Sequence, residues 1–341
     1  MTIGLFLVPI MLQAQSTSEL NLGTIDFPTS SQGEAQKEFL TGVLALHSFW
    51  YPEARDHFRK ARELDPDFAM AYWGEALTYD HPIWQQHDQE SGARVLKALD
   101  DQSSPAMNDR EQAYIQAVKL LFEEKAGMGE RRRNYARAMN NISGQYPDDD
   151  EATVLAALAD MSLPSYNYSN PDPKKVVDIA SRLEELYQKN PEHPGAMHYL
   201  IHVYDNDTFG RMGLRPANDY ADVAYSSPHA IHMPSHIYKQ LEMWDKVIDS
   251  NIAAWEASVE WQQATRRPLV DRDYHSYRWL FEAYLEIDNY EKACGIINNM
   301  RAMLETARER GEETGRMSDT LENFNAQYDR TNKAPACKMA E

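Results

Sequence analysis

From Glu34 to Arg308 the apolar residues recur at three- and four-residue intervals, and this pattern is rarely interrupted. Spacing of that kind marks helices with one buried face, whereas strands would show alternation, and no segment shows a convincing period of two. Helices are predicted over Ala69–Tyr79, Asn108–Phe122, Arg131–Tyr146, Asp150–Met161, Lys174–Gln188, Trp244–Ala257, Tyr274–Tyr284 and Asn289–Arg308. Their ends are punctuated. Asn108-x-x-Glu111 has the form of a capping box, and Pro66, Pro147 and Pro191 stand where a helix has just closed. Residues 16 to 33 are polar and read as a linker, and the stretch from Gly311 onward reads as a polar, loosely ordered tail.

Within Glu34–Asp67 the order is Gly42 in a first helix, then Ala54, Phe58 and Ala61 in a second, then Pro66 at the exit. Small residues are needed where two helices touch, and proline ends the second helix. These residue types at these offsets resemble the tetratricopeptide repeat. The resemblance is clear near the start of the chain and again from Trp244 to Arg308, and weak between residues 85 and 145. It implies an all-α solenoid of about seven helix pairs over residues 34–310, with the first helix of each pair lining a concave groove.

The histidines give this groove a chemistry. Six of the chain's 11 lie between His193 and His236, and two pairs, His198/His202 and His232/His236, are spaced four residues apart. On a helix such a pair shares one face. The second pair follows the first by 34 residues, one repeat length, so the two should stand side by side on packed helices about 8–10 Å apart. Carrying the repeat phase along the chain adds His229, His275, His47 and His81 to the groove face. His193, before Pro194, caps or lines a loop, and His57 lies on a second helix, facing solvent. Clustered neutral imidazoles suit a divalent transition metal ion, zinc or copper, with His198, His202, His232 and His236 as ligands and His229 and His275 at the edge. Asp205 and Glu282 are nearby candidates for a further ligand or for an acceptor behind a ligand. Tyr199 and Met233 stand where a His-Glu-x-x-His motif would place its glutamate, which removes the usual metalloprotease base. Pro234 should break the second histidine helix.

Charge narrows the partners. The 341 residues carry 53 acidic against 34 basic side chains, a net −19, which disfavours nucleic acid and anionic membranes. A peptide or protein in the groove remains compatible. With Arg278 the main exception, the groove positions hold histidine, aromatic and acidic residues, not the Lys, Arg and Asn of tetratricopeptide clamps for carboxylate tails. The apolar run Ile3–Leu12 followed by Gln13-Ala-Gln-Ser16 reads as a signal peptide over residues 1–15, although Met1-Thr2 lacks the usual positive start. No later segment is long and apolar enough to span a bilayer, so an integral membrane protein is not expected. The expected location is therefore periplasmic or secreted, where Cys294 and Cys337 could form one bridge or remain free. Three functions are compatible with these residues: an exported binding protein with a metal-bearing groove, a metal-dependent hydrolase or oxidase on the same histidines, and a metal-free interaction scaffold.

Overall fold

The computed structural model describes residues 20–102, 107–331 and 334–337. The expected signal peptide lies outside them. Among the described residues the chain is a succession of antiparallel helix pairs: α1 Gly33–His47 with α2 Tyr51–Leu64, α3 Ala69–Leu77 with α4 Gln89–Asp100, and α5 Asp109–Leu121 with α6 Met128–Gln145. Then follow α7 Asp150–Met161 with α8 Pro173–Lys189, and α9 Pro194–Tyr204 with α10 Leu214–Val223. The sixth pair has a divided first helix, α11 Pro228–His232 and α12 Pro234–Gln240, packed on α13 Trp244–Thr265. The seventh is α14 Tyr274–Glu286 with α15 Tyr290–Glu309, and α16 Gly315–Arg330 closes the array. The all-α solenoid of helix pairs expected from the sequence is the observed fold, and the only strands among the described residues are two-residue pieces, Asp80–His81 and Gln86–His87.

Local chemistry sets these boundaries. Asn108 and Glu111 form the expected capping box at α5, and Asp149, Asp172, Ser227 and Asp273 each accept from a backbone N–H in the first turn of their helix. Pro234 has no N–H to donate, and the histidine helix is interrupted at Met233, just before it. Between pairs, Phe58 fills the space that small residues leave open. A Cβ on Gly74 would fall 2.2 Å from the Phe58 ring, and one on Gly42 would fall 2.8 Å from it. The repeat's pattern of small residues facing phenylalanine is therefore a packing requirement.

Three expectations need correction. The polar residues before α1 are not a loose linker: Leu22 and Phe27 are buried, and Phe27 packs among Phe39, Trp73 and Tyr114. The segment runs across the fold as a strap, with Thr24 N–H donating to the Glu192 carbonyl and Ser226 N–H to that of Asn21. The polar tail is also structured. Its residues 315–330 form α16, which buries Met317, Phe324 and Tyr328 and is followed by a Cys294–Cys337 disulfide that ties the chain back to α15. Finally, the concave face is not an open groove. The turn after α1 meets the fifth and sixth helix pairs: Tyr220 donates to Ser48, Trp50 packs on Trp261 at 5.4 Å, and Trp261 donates to Glu53 at 2.8 Å. Arg267 and Asp56 complete this seam with an ion pair. The solenoid curls until its first pair touches its later ones.

The packing makes opposite predictions for two glycines. Gly74→Ala should lower unfolding stability by about 1–3 kcal/mol, because the Phe58 ring must shift within a dense core. Gly144→Ala, in α6 with nothing within 4 Å of the added carbon, should raise stability by about 0.4–1 kcal/mol. Urea unfolding of both variants checks the signs, and equal effects would contradict this account of the repeat.

Candidate metal centre

Curling the solenoid gathers six imidazoles from α9, α11, α12 and α14. His198 and His202 face each other with Nε2 atoms 3.1 Å apart, and so do His232 and His236. The two pairs meet across the helices, with ring centroids 5.4 Å apart for His202–His236, and the His229 ring lies 5.1 Å from His198. His275 lies 4.6 Å from His232. Two overlapping triads have ring nitrogens mutually within 4.8 Å: His198, His202 and His229, and then His229, His232 and His275. Two nitrogens bound to one zinc at about 2.0–2.1 Å in tetrahedral geometry stand about 3.3 Å apart, close to the spacing within each pair.

The outer nitrogens reveal how the rings are protonated. His198 Nδ1 is 2.5 Å from the His47 carbonyl, which can only accept, so Nδ1 carries the hydrogen and Nε2 a lone pair. His236 Nδ1 donates to the Asp205 carboxylate at 2.7 Å. His232 Nδ1 donates to Asn251 Oδ1 at 2.6 Å, and the amide's orientation is fixed by its own N–H bond to the Val247 carbonyl. With both rings neutral, His232 and His236 would point lone pairs at each other across 3.1 Å. Only a cation between them relieves that contact, either a shared proton or a metal ion. Nε2 of His229 and Nε2 of His275 are buried without any hydrogen-bond partner, a costly state for a polar atom.

Electrostatics disfavour the proton. Burial pushes His232, His229, His202 and His275 well below the ordinary histidine range, and neighbouring imidazoles push the same way. Burial likewise takes His198 down to about 3, against the pull of its bond to the His47 carbonyl. Burial raises the Asp205 carboxyl, but His236, Gln240 and Lys239 outweigh it and hold the group below its usual range. Five of the six imidazoles are thus held neutral, and His198, His232 and His236 have an acceptor behind the ring, the arrangement that orients histidine ligands in metal sites.

A second group, His47, Glu151 and His193, also lies within ligand distance, yet its hydrogen bonding is different. His193 caps α9, with Nδ1 accepting from Ala196 N–H, so the ring's hydrogen is on Nε2, 3.3 Å from Glu151 Oε1. His47 Nε2 lies 2.6 Å from Glu151 Oε2, with Nδ1 beside the Tyr199 hydroxyl. His47 turns an N–H toward the carboxylate, His193 Nε2 lies beside Glu151 Oε1 without a hydrogen bond, and no lone pairs collide. This buried polar cluster holds the His47 main chain, whose carbonyl in turn orients His198.

The expected site residues thus divide. His198, His202, His229, His232, His236 and His275 come together, Asp205 stands behind His236, and Glu282 instead faces Arg278 at 3.5 Å. His47 belongs to the separate glutamate cluster. His81 stacks on Tyr51 at 3.8 Å. His57 is not simply solvent-facing: it is half-buried, 2.6 Å from Glu38. Three aromatic residues of the site were missed. Phe49 sits 4.4 Å from His198, with a backbone φ of 51° that non-glycine residues rarely adopt. Trp279 lies 4.3 Å from His236, and Trp84 5.4 Å from His229. The signal for the first was the run Phe49-Trp-Tyr51 at a turn, where small or polar residues are the norm. Trp84 is delivered by the hairpin between α3 and α4, which Asp80 anchors by accepting from Arg132 at 2.9 Å and His87 at 2.8 Å.

Five buried imidazoles that resist protonation give the fold a defined pH response. In the unfolded chain they take up protons near 6.5, and in the folded chain only far lower. Lowering the pH therefore favours unfolding: this contribution to stability is intact above about 6.5 and is lost progressively below it. Chelator-treated protein should show a Tm that falls steadily between pH 6.5 and 4.5, and a flat Tm over that window would contradict the assigned protonation states.

No family model and no curated protein matches this sequence. Among solved structures, similarity extends to the TPR2AB domain of yeast Sti1 in its pHSP90 complex, at 15% identity over 87% of this chain and 98% of that one, with a TM-score of 0.30. Yeast Tom70 matches at 10% identity over 91% of this chain and 67% of that one, with a TM-score of 0.43. Human IFIT1 bound to m7Gppp-AAAA matches at 12% identity over 91% and 80%, with a TM-score of 0.36. These are likenesses of helix-pair architecture at low scores, and the reading of the site rests on its own geometry.

Proposed function

We propose that this protein is an exported tetratricopeptide-like binding protein whose closed concave face holds a transition metal ion, zinc or copper, on the six-histidine cluster. The observation that carries this reading is the facing pair of Nε2 atoms on His232 and His236, 3.1 Å apart, whose Nδ1 atoms both donate outward while burial holds His232 neutral. Neutral imidazoles without thiolates suit zinc or copper. The overlapping triads leave room for one ion or a pair. Export accords with the Cys294–Cys337 disulfide, a bond that persists in oxidising compartments. Among the described residues no helix is long and apolar enough to cross a membrane.

A metal-dependent hydrolase or oxidase is the second reading, and one feature favours it. Each three-histidine set would leave a coordination position open, and His229 and His275 border a cleft of about 670 Å³. A peptide laid along the concave face fits less well, because the first helix pair already occupies that space.

Elemental analysis of untagged protein should find one or two equivalents of zinc or copper. His232→Ala/His236→Ala should lose the metal while keeping the helical circular dichroism spectrum. Asp205→Asn, which weakens the acceptor behind His236, should lower affinity about 10–100-fold. Metal-free protein under metal-replete expression, or full retention of metal by the double variant, would rule the proposal out.

A further inference from the structure

The cleft beside the histidines has two unlike walls. One is aromatic: Tyr51, Trp84 and Trp261 line it, and Tyr51 and Trp84 lie 5.9 Å apart. The other is cationic, formed by Arg272 and Arg278 around the start of α14 and Arg316 on α16. Such a concentration is unexpected in a chain with 53 acidic and 34 basic residues, where an arginine should easily find a carboxylate. Arg316 has no ion pair among the described residues. Arg272 bonds the neutral Gln262 side chain at 2.9 Å, and Arg278 reaches Glu282 only at 3.5 Å. Burial pushes the Arg272 guanidinium below its ordinary range, and Glu312 opposes the shift only in part. Asp273 at the cleft is engaged in capping α14, where its side chain accepts from the His275 and Ser276 N–H groups.

We infer that the cleft binds a small organic carboxylate with a flat apolar body, the body lying against Tyr51 and Trp84 and the carboxylate paired with Arg278 and Arg316. Its volume of about 670 Å³ suits a small ligand. Guanidinium forks match a carboxylate, and aromatic faces match a planar body. The ligand's charge also suits the neighbouring centre: a divalent ion on neutral imidazoles carries its full charge into a buried site, and a nearby anion offsets it. The arginine wall exists with or without an ion, so the inference goes beyond the metal reading and is tested separately from it.

The test is calorimetric titration of the full chain, both metal-loaded and chelator-treated, with 2-naphthoate and its uncharged counterpart 2-naphthalenemethanol. Naphthoate should bind one per chain in both preparations, at least about tenfold more tightly than the alcohol. Arg278→Gln and Arg316→Gln should each weaken naphthoate by about tenfold, as expected for loss of a charge-assisted hydrogen bond, and leave the alcohol unchanged. Both arginines are exposed, so these variants should fold, and an unchanged circular dichroism spectrum verifies it. Three results would overturn the inference: no naphthoate binding, equal affinity for acid and alcohol, or wild-type naphthoate affinity in both variants. Naphthoate binding that disappears on chelation would place the carboxylate on the ion and overturn it too, leaving the metal reading intact. Absence of metal with arginine-dependent naphthoate binding would defeat the metal reading alone.

Discussion

The hydrogen bond from His198 to the main-chain carbonyl of His47 spans 151 residues of sequence at 2.5 Å, and much else depends on the contact it represents. An open solenoid interacts only with its neighbours, and its stability is close to a sum of nearest-neighbour terms. Here the first helix pair also packs against the fifth and sixth. That contact encloses the histidines, brings Phe49 over His198 and turns what would be a wet groove into an interior. It also explains the burial of the Glu151 cluster, which locks the His47 backbone from behind and so fixes the tautomer of a ring in the histidine cluster.

Enclosure has an energetic consequence. Imidazoles that would be hydrated in a groove must be dry in a core, and nitrogens without partners there are destabilising. A set of orphaned nitrogens and opposed lone pairs is tolerable only if something with positive charge occupies the space between them, or if the rest of the fold offsets the strain. The strap through Leu22 and Phe27 and the disulfide beyond α16 both add ties outside the repeat itself, at the two places where a solenoid is weakest.

Much of this was legible in the sequence, and the reasons are specific. The helix pairs follow from Gly42, Ala54, Phe58, Ala61 and Pro66, whose roles are local. The meeting of the two histidine pairs follows from four-residue and 34-residue spacings, because a repeat converts sequence distance into spatial adjacency. What escaped depends on closure or on sparse signals. Phe49 and Trp84 reach the site because distant pairs meet, and no spacing encodes that, whereas Trp279 stands four residues after His275 on α14, a spacing that went unused. The strap escaped notice because it is anchored mainly by backbone hydrogen bonds and by two apolar residues, Leu22 and Phe27. Helix α16 buries only Met317, Phe324 and Tyr328, too few to stand out against its polar composition. The pairing of Cys294 with Cys337 cannot be read from a separation of 43.

The seam between Trp50 and Trp261 changes how such a chain can diverge. Open helical arrays lengthen and shorten by whole repeats, since each added unit simply extends the stack. In this protein an inserted or deleted helix pair between α3 and α10 would carry the two sides of the seam apart by a full unit and separate Ser48 from Tyr220, Glu53 from Trp261 and the His47 carbonyl from His198. A change of length in a loop such as the one after Met161 leaves the seam intact, whereas a change in the number of helix pairs does not.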